Sequence, residues 1–148
     1  MTYGGECLSL AAAKATILAL KNNPGILRHI WKMGRILRDG SKKMIKKYGL
    51  EKHITSYGSS PRWLMDFHYE DGKNWNELKT LFQQYMIDGG ILVLPVYWNM
   101  TYAHKIQHIK KTLAVLEHAF KNAAKDIKEG RVNAKAGVGL KAVFSRKL

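Results

Sequence analysis

The chain has 148 residues, of which 46% are hydrophobic, and a formal net charge of +14. This length fits one ordinary domain with a sizeable core, and the hydrophobic content excludes an intrinsically disordered protein. The one cysteine, Cys7, excludes an internal disulfide framework and is compatible with a reducing compartment. Since no stretch is long and apolar enough to span a bilayer, we expect a cytoplasmic protein with no membrane partner.

The first predicted helix runs from about Gly5 to Lys21 and is preceded by Thr2 and Gly4. A hydroxyl residue and a glycine pair before a helix are typical of an anion-binding helix entrance. Glycine allows an anion to approach the backbone closely, and the helix dipole favours negative charge there. The same residues also suit a plain N-terminal cap, so both interpretations stay open.

A second predicted helix runs from about Ile26 to Tyr48, since Pro24 interrupts the first helix and apolar residues then recur at helical period. From Arg28 to Lys52 the chain carries nine Lys or Arg against two acids. Such a balance can indicate a nucleic-acid or anionic-membrane partner. The basic residues are interleaved with an apolar stripe and not gathered in an aromatic-rich patch. We therefore interpret them as a solvated helix face and expect no nucleic-acid partner.

Two short strands are predicted next, over residues 54–57 and 63–69, with a turn at residues 58–61 between them. In the second strand apolar and polar side chains mostly alternate, which is typical of a half-buried strand. A third helix follows, and Asn74 with Glu77 three residues later forms a capping-box pattern at its start.

The apolar run 91–94 predicts a third strand that is central or buried on both faces, and residues 96–102 predict an irregular aromatic loop. A fourth helix is predicted over residues 106–127, followed by a basic tail after Gly130. Long N-terminal helices and a small three-stranded sheet covered by helices make an α/β fold of the α+β sandwich kind.

His104 and His108 have the spacing of two residues on one helix face, which suits zinc. No Glu-x-x-His motif and no cluster of cysteines or acids supplies further ligands, so we predict no metal site and interpret His104 as a hydrogen-bonding residue. Cys7 has no evident catalytic partner, and the chain has no phosphate-loop or nucleophile-elbow motif. The sequence therefore predicts no catalytic residue of its own.

Seven short segments together carry a family pattern. They are residues 2–13, 30–34, 39–40, 86–92, 102–104, 109–113 and 142–146. In this order they resemble the C-terminal part of class III pyridoxal-phosphate-dependent aminotransferases, and the glutamate-1-semialdehyde aminomutase branch is the most similar. The resemblance covers nearly the whole chain.

The resemblance implies the C-terminal small domain of a fold-type I pyridoxal-phosphate enzyme. Residues 1–25 would be the end of the large domain with its connecting helix, and residues 26–148 the small domain. The complete enzyme would use pyridoxal 5'-phosphate, and Thr2 and Gly4 would contact the phosphate of the cofactor in the neighbouring subunit of a homodimer. Arg62 is a candidate contact for a substrate carboxylate, with an ordinary sheet-edge charge as the alternative.

The family's large domain holds the Schiff-base lysine, the Asp that pairs with the pyridine nitrogen and the aromatic residue that stacks on the ring. None of these groups has a counterpart here, so we expect this chain to be inactive without that N-terminal large domain. We also expect its absence to leave Trp63, Tyr97 and Trp98 exposed. Two alternatives are a stand-alone basic module that binds nucleic acid or an acidic partner, and a docking subunit for a separate large domain.

Overall fold

The computed structural model describes residues 5–94 and 97–139. They form α1 (Cys7–Asn22), α2 (Pro24–Lys47), β1 (Ile54–Ser59), β2 (Arg62–Phe67), α3 (Asn76–Asp88), β3 (Tyr97–Asn99), α4 (Ile106–Lys128) and α5 (Val132–Ala136). The combination of helices with one small three-stranded sheet confirms the predicted fold class. Thr2, Gly4 and the segment 142–146 lie outside the described residues.

The sheet is antiparallel, and β2 lies between β1 and β3. In β2 the side chains of Trp63, Met65 and Phe67 are buried, while the residues between them are partly exposed. This alternation arises because successive side chains of a strand point to opposite faces. One face of the sheet therefore belongs to the core.

The helices cover this face of the sheet. The long helices α2 and α4 pack against each other, and α3 contacts both α4 and β2. Phe82 of α3 lies at the junction, with its ring 5.0 Å from that of Phe67 and 5.4 Å from that of Phe120. Aromatic pairs at such distances add about 0.5–1.5 kcal/mol to the stabilisation from burial alone.

Gly34 allows α2 to approach the β1–β2 turn unusually closely. A Cβ atom at this position would lie 1.9 Å from the backbone oxygen of Ser60. Gly40 and Gly89 are also close to neighbours, but a Cβ there would meet the side-chain tips of Leu113 and Val115. All three glycines lie in segments that carry the family resemblance, so part of that resemblance reflects packing.

The structure corrects the prediction of the third strand. Residues 91–94 form no strand, and the third strand is β3, within the stretch predicted to be an irregular loop. Both edges of β2 are already paired, with β1 and β3. Leu92 is instead 88% exposed and Leu94 68% exposed, while the Gln83 side chain donates a hydrogen bond to the backbone oxygen of Val93 at 3.1 Å.

The predicted cap of α3 is also wrong. Trp75, not Asn74, is the N-cap residue, and its side chain makes no capping hydrogen bond. Asn74 forms a β-bridge with His68, which holds it in the extended chain before the helix. The sequence also gave no sign of α5, which lies in the stretch predicted to be a basic tail.

The predicted exposure of the aromatic residues holds only for Tyr97. Trp63 is fully buried and Trp98 is 5% exposed, whereas Tyr97 is 48% exposed. The two tryptophans are directly paired between β2 and β3, and their rings stack 5.5 Å apart. Each therefore covers the other, which the sequence could not reveal while β3 was predicted to be a loop.

The helix α1 lies largely outside the core. None of its residues is buried, and Leu8, Leu10 and Ile17 are 78%, 59% and 63% exposed. A helix that is apolar around most of its circumference is normally covered by other protein. No helix within residues 5–94 and 97–139 combines the length and apolar character needed to cross a bilayer.

We predict that Gly34→Ala lowers the free energy of unfolding by about 1–3 kcal/mol, because its methyl group would overlap the backbone of Ser60. The Gly40→Ala variant should cost less, because the side chain of Leu113 can rotate away and alanine is the better helix former. Urea unfolding of both variants measures the difference. Equal losses would contradict a special role of the Gly34 contact.

Candidate functional site beside the third strand

A cavity of about 270 Å³ lies beside β3, between the middle of α2, the start of α4 and the segment 91–94. Its walls are mostly apolar, and Asn99, His104 and Thr112 supply the polar groups. Apolar walls with a few polar groups are typical of sites for small molecules. No lysine is among the described residues that line it.

Trp98, which lines this cavity, has an indole N–H group without a hydrogen-bond partner. The indole Nε1 atoms of Trp98 and of its stacking partner Trp63 are buried and have no hydrogen-bond partner. A buried polar group without a partner is costly, so such groups are rare outside functional or strained places. Ser56 Oγ on β1 is a third such atom, so we take the cavity beside β3 as the candidate site because Trp98 lines it together with other polar groups.

Arg62 lies near this edge, at the first position of β2. It is directly paired with Asn99 of β3, which puts both side chains on the same face of the sheet. The Arg62 guanidinium lies 6.0 Å from the ring of Tyr97 and is ion-paired to none of the described acids. Arg62 does not line the cavity itself, so its role as a carboxylate contact remains a proposal.

His104 has a structural role at the cavity wall. Its Nδ1 accepts a hydrogen bond from the backbone N–H of Thr101 at 3.0 Å, and its carbonyl oxygen lies 2.7 Å from Nε2 of His29. The interpretation of His104 as a hydrogen-bonding residue is confirmed. It precedes α4, so the assumption that it shares a helix face with His108 is wrong.

His108 itself belongs to the start of α4, where its Nδ1 accepts the backbone N–H of Lys105 at 3.2 Å. Among the described residues no group of three or more His, Cys, Asp or Glu side chains could hold a metal ion.

The described part of the predicted anion entrance is occupied by the chain's own carboxylate. Glu6 is the N-cap of α1, and its two carboxylate oxygens accept the backbone N–H groups of Leu8 at 2.8 Å and Ser9 at 2.7 Å. Hydrogen bonds from Ser9 and Leu8 lower the pKa of Glu6, so it is ionised at neutral pH. A phosphate at these two N–H groups would have to displace that negative charge.

One buried charged cluster exists in the described chain, away from the cavity. Asp126 is 1% exposed and accepts a hydrogen bond from the hydroxyl of Tyr85. Lys135 Nζ and Arg131 Nη2 lie 2.8 and 3.2 Å from its Oδ1. Burial by itself raises the pKa of Asp126, but the hydrogen bonds from Lys135 and Tyr85 outweigh it and hold this pKa below its ordinary value. The cluster joins α3, α4 and α5, which is a structural task.

Comparisons with known proteins support the family resemblance. The chain is 29% identical over 129 residues to the glutamate-1-semialdehyde 2,1-aminomutase of Fusobacterium nucleatum, which is 81% of this chain and 30% of that enzyme. It is 28% identical over 126 residues to the aminomutase of Thermus thermophilus, which is 80% of this chain and 30% of that enzyme. The resemblance to the glutamate-1-semialdehyde aminomutases is confirmed. No family model matches the chain.

Solved structures support the fold. The FumI protein of Sphingopyxis sp. MTA144, in its PLP internal aldimine form, has a TM-score of 0.64 at 20% identity and is matched over 75% of this chain and 26% of its own. An omega-transaminase from Sphaerobacter thermophilus has a TM-score of 0.59 at 13% identity, over 71% of this chain and 26% of its own. The chain thus spans about 30% of the length of the curated relatives named above.

We predict that Asp126→Asn lowers the free energy of unfolding by about 1–3 kcal/mol, because it removes buried charge-assisted hydrogen bonds. Since the pKa of Asp126 is lowered in the folded state, its stabilising effect is fully present above the ordinary pKa of an aspartate, about 4, and disappears as the pH falls through the folded pKa. The free energy of unfolding of the variant should therefore fall less steeply below about pH 4 than that of the parent chain.

The matched control is Asp66→Asn, since Asp66 also accepts a tyrosine hydroxyl, that of Tyr57, but in an exposed pair at 2.8 Å. It should change stability by less than about 0.5 kcal/mol. Thermal unfolding at several pH values measures both. Similar losses at the two sites would contradict the role given to the buried cluster.

Proposed function

We propose that this chain is the C-terminal small domain, with its connecting helix, of a pyridoxal-phosphate-dependent aminotransferase or aminomutase that catalyses amino-group transfer. The observation that carries the proposal is the sequence similarity to glutamate-1-semialdehyde aminomutases over about 80% of the chain. The fold similarity to two pyridoxal-phosphate enzymes supports it. The proposal divides the chain at residue 25, between α1 and the body of α2.

The exposed helix α1 gives physical support for a missing partner domain. Its leucine and isoleucine side chains lie in water in this chain, at a cost of about 25 cal/mol for each Å² of apolar surface that a partner would cover. The matched relatives are about three times longer than the matched region. We propose that an N-terminal large domain and the second subunit of a homodimer cover this helix in the complete enzyme.

The described residues do not fit pyridoxal phosphate by themselves. No lysine is among the residues that line the cavity beside β3, and the first N–H groups of α1 are held by Glu6. In the complete enzyme the cofactor would supply the amino-group chemistry. For this chain the proposal leaves Thr2 and Gly4 as contacts to the cofactor phosphate of the neighbouring subunit, and Arg62 as a contact to a substrate carboxylate.

The proposal also includes a cytoplasmic location and no activity of the isolated chain. The buried carboxylate of Asp126 is bound by Arg131 and Lys135 and has a structural role. Arg62 forms no ion pair with any of the described acids. The proposal therefore gives this chain a role in binding the substrate and leaves the catalytic groups to the large domain.

We predict that the isolated chain forms no specific adduct with pyridoxal phosphate, because none of the described residues that line the cavity beside β3 is a lysine. The mixture is reduced with borohydride and the modified lysines are located by mass spectrometry. We expect sparse labelling spread over the many exposed lysines. One stoichiometric lysine adduct that converts to pyridoxamine phosphate with an amino donor would show that the inactivity is wrong.

We predict that α1 causes the isolated chain to self-associate and to bind an environment-sensitive apolar dye. A double variant, Leu10→Glu with Ile17→Glu, should reduce both, because it breaks the exposed apolar face. Lys14→Glu is the control, since it lies on the same face and changes the net charge by the same amount. A monomeric parent chain that binds no dye would contradict the proposal that α1 lacks its natural cover.

A further inference from the structure

The outer side of α2 carries two groups of positive charge along one face. Its exposed basic residues along one face, which we name the cationic stripe, are Arg28, Lys32, Arg35, Lys42, Lys43 and Lys46. At about 100° of rotation and 1.5 Å of rise per residue, they fall within an arc of about 100° and extend over about 27 Å. The sequence interpretation treated these residues as interleaved with the apolar ones, but in the folded helix the two sets lie on different sides.

The charges of the cationic stripe are not neutralised within the described chain. None of its six residues forms an ion pair with a described acid. Asp39 is the acid of this face, and it is bound to the neighbouring Arg38 at 3.0 Å. A surface with six unpaired cations along one helix is electrostatically complementary to a polyanion with regularly spaced charges.

The N-terminal half of the cationic stripe also contains an aromatic side chain in a groove. An open groove of about 500 Å³ is lined by Arg28, Lys32, Arg35 and Ile36 together with Trp31, which is 45% exposed. An exposed indole between cations is the combination that binds single-stranded nucleic acids, since bases stack on the ring while phosphates meet the charges. A free phosphate would make no use of the indole face.

The inner side of α2 argues against a membrane surface. Met33, Leu37 and Ile45 are buried in the core, so the main apolar face of α2 is not available to insert between lipids, and Leu27 and Trp31 are its exposed large apolar residues. From these observations we infer that the cationic stripe binds single-stranded nucleic acid, with a base stacked on Trp31 and phosphates on Arg28, Lys32 and Arg35. This inference goes beyond the proposed function, and it requires that the large domain proposed to cover α1 leaves the outer side of α2 free.

The first test uses the whole chain and a labelled oligouridylate of about 12 nucleotides, which is within the usual site size. Fluorescence anisotropy should show binding that weakens by about 10²-fold between about 50 and 200 mM salt, as expected for several neutralised phosphates. The triple variant R28Q/K32Q/R35Q should bind more than tenfold more weakly at low salt. Its salt dependence should be shallower by about two units of slope.

The matched control is K121Q/K125Q/K128Q, which removes the same charge from the exposed side of α4. It should leave both affinity and salt dependence nearly unchanged. Trp31→Ala should weaken binding by about tenfold, while Trp31→Phe should keep most of it, because phenylalanine also stacks on bases. Circular dichroism confirms that each variant is folded before it is compared.

Several outcomes would overturn the inference. One is the absence of binding at low salt, and another is an equal loss in the α2 and α4 triple variants, which would indicate a diffuse effect of net charge. If the Trp31→Ala variant bound with full affinity, the inference that a base stacks on Trp31 would be wrong. Tighter binding to vesicles of phosphatidylserine than to the oligonucleotide, with the same dependence on the cationic stripe, would assign the surface to membranes instead.

Discussion

The close contact between Gly34 and the backbone of Ser60 fixes how the rest of the fold is arranged. It lets α2 lie directly against the β1–β2 turn, where any side chain at residue 34 would overlap the turn. Once α2 is held there, its apolar side faces α4 and the sheet, and its basic side faces water. In the same arrangement α1, which ends just before Pro24, has no buried residue. The absence of a side chain at Gly34 thus permits the close packing on which this arrangement of surfaces depends.

Patterns of regular period in the sequence predicted most of the elements. The helices α2 and α4 follow an apolar repeat, and β2 follows an alternation, so each lies close to its predicted bounds. The prediction of β3 failed because residues 91–94 are more apolar than Tyr97–Asn99, yet the edge of β2 pairs with the latter. Which of two nearby segments pairs with a strand depends on the path of the chain between helices, and local hydrophobicity does not record that path.

The candidate site was less predictable than the fold. Arg62 could be singled out from the sequence, but its pairing with Asn99 and its position over Tyr97 depend on the register of β3. The unpartnered indole groups of Trp63 and Trp98 leave no mark in the sequence, since an isolated tryptophan has no visible partner. The sequence analysis also missed Glu6 as the cap of α1, because Ser, Thr, Asp and Asn are the usual cap residues and Glu is not. The chain therefore contributes one wall of a cavity and only a few polar groups that could act in a site.

The register of the sheet also has a consequence for how the chain folds. The β1–β2 hairpin closes over a turn of a few residues, whereas Trp63 and Trp98 are about 35 residues apart along the chain. Because the entropy lost on closing a loop grows with its length, the hairpin can form early and β3 joins later. Until β3 arrives, the edge of β2 beside Trp63 has unpaired backbone N–H and C=O groups. We therefore expect slower docking of β3 to leave this edge open to pairing with another chain for longer.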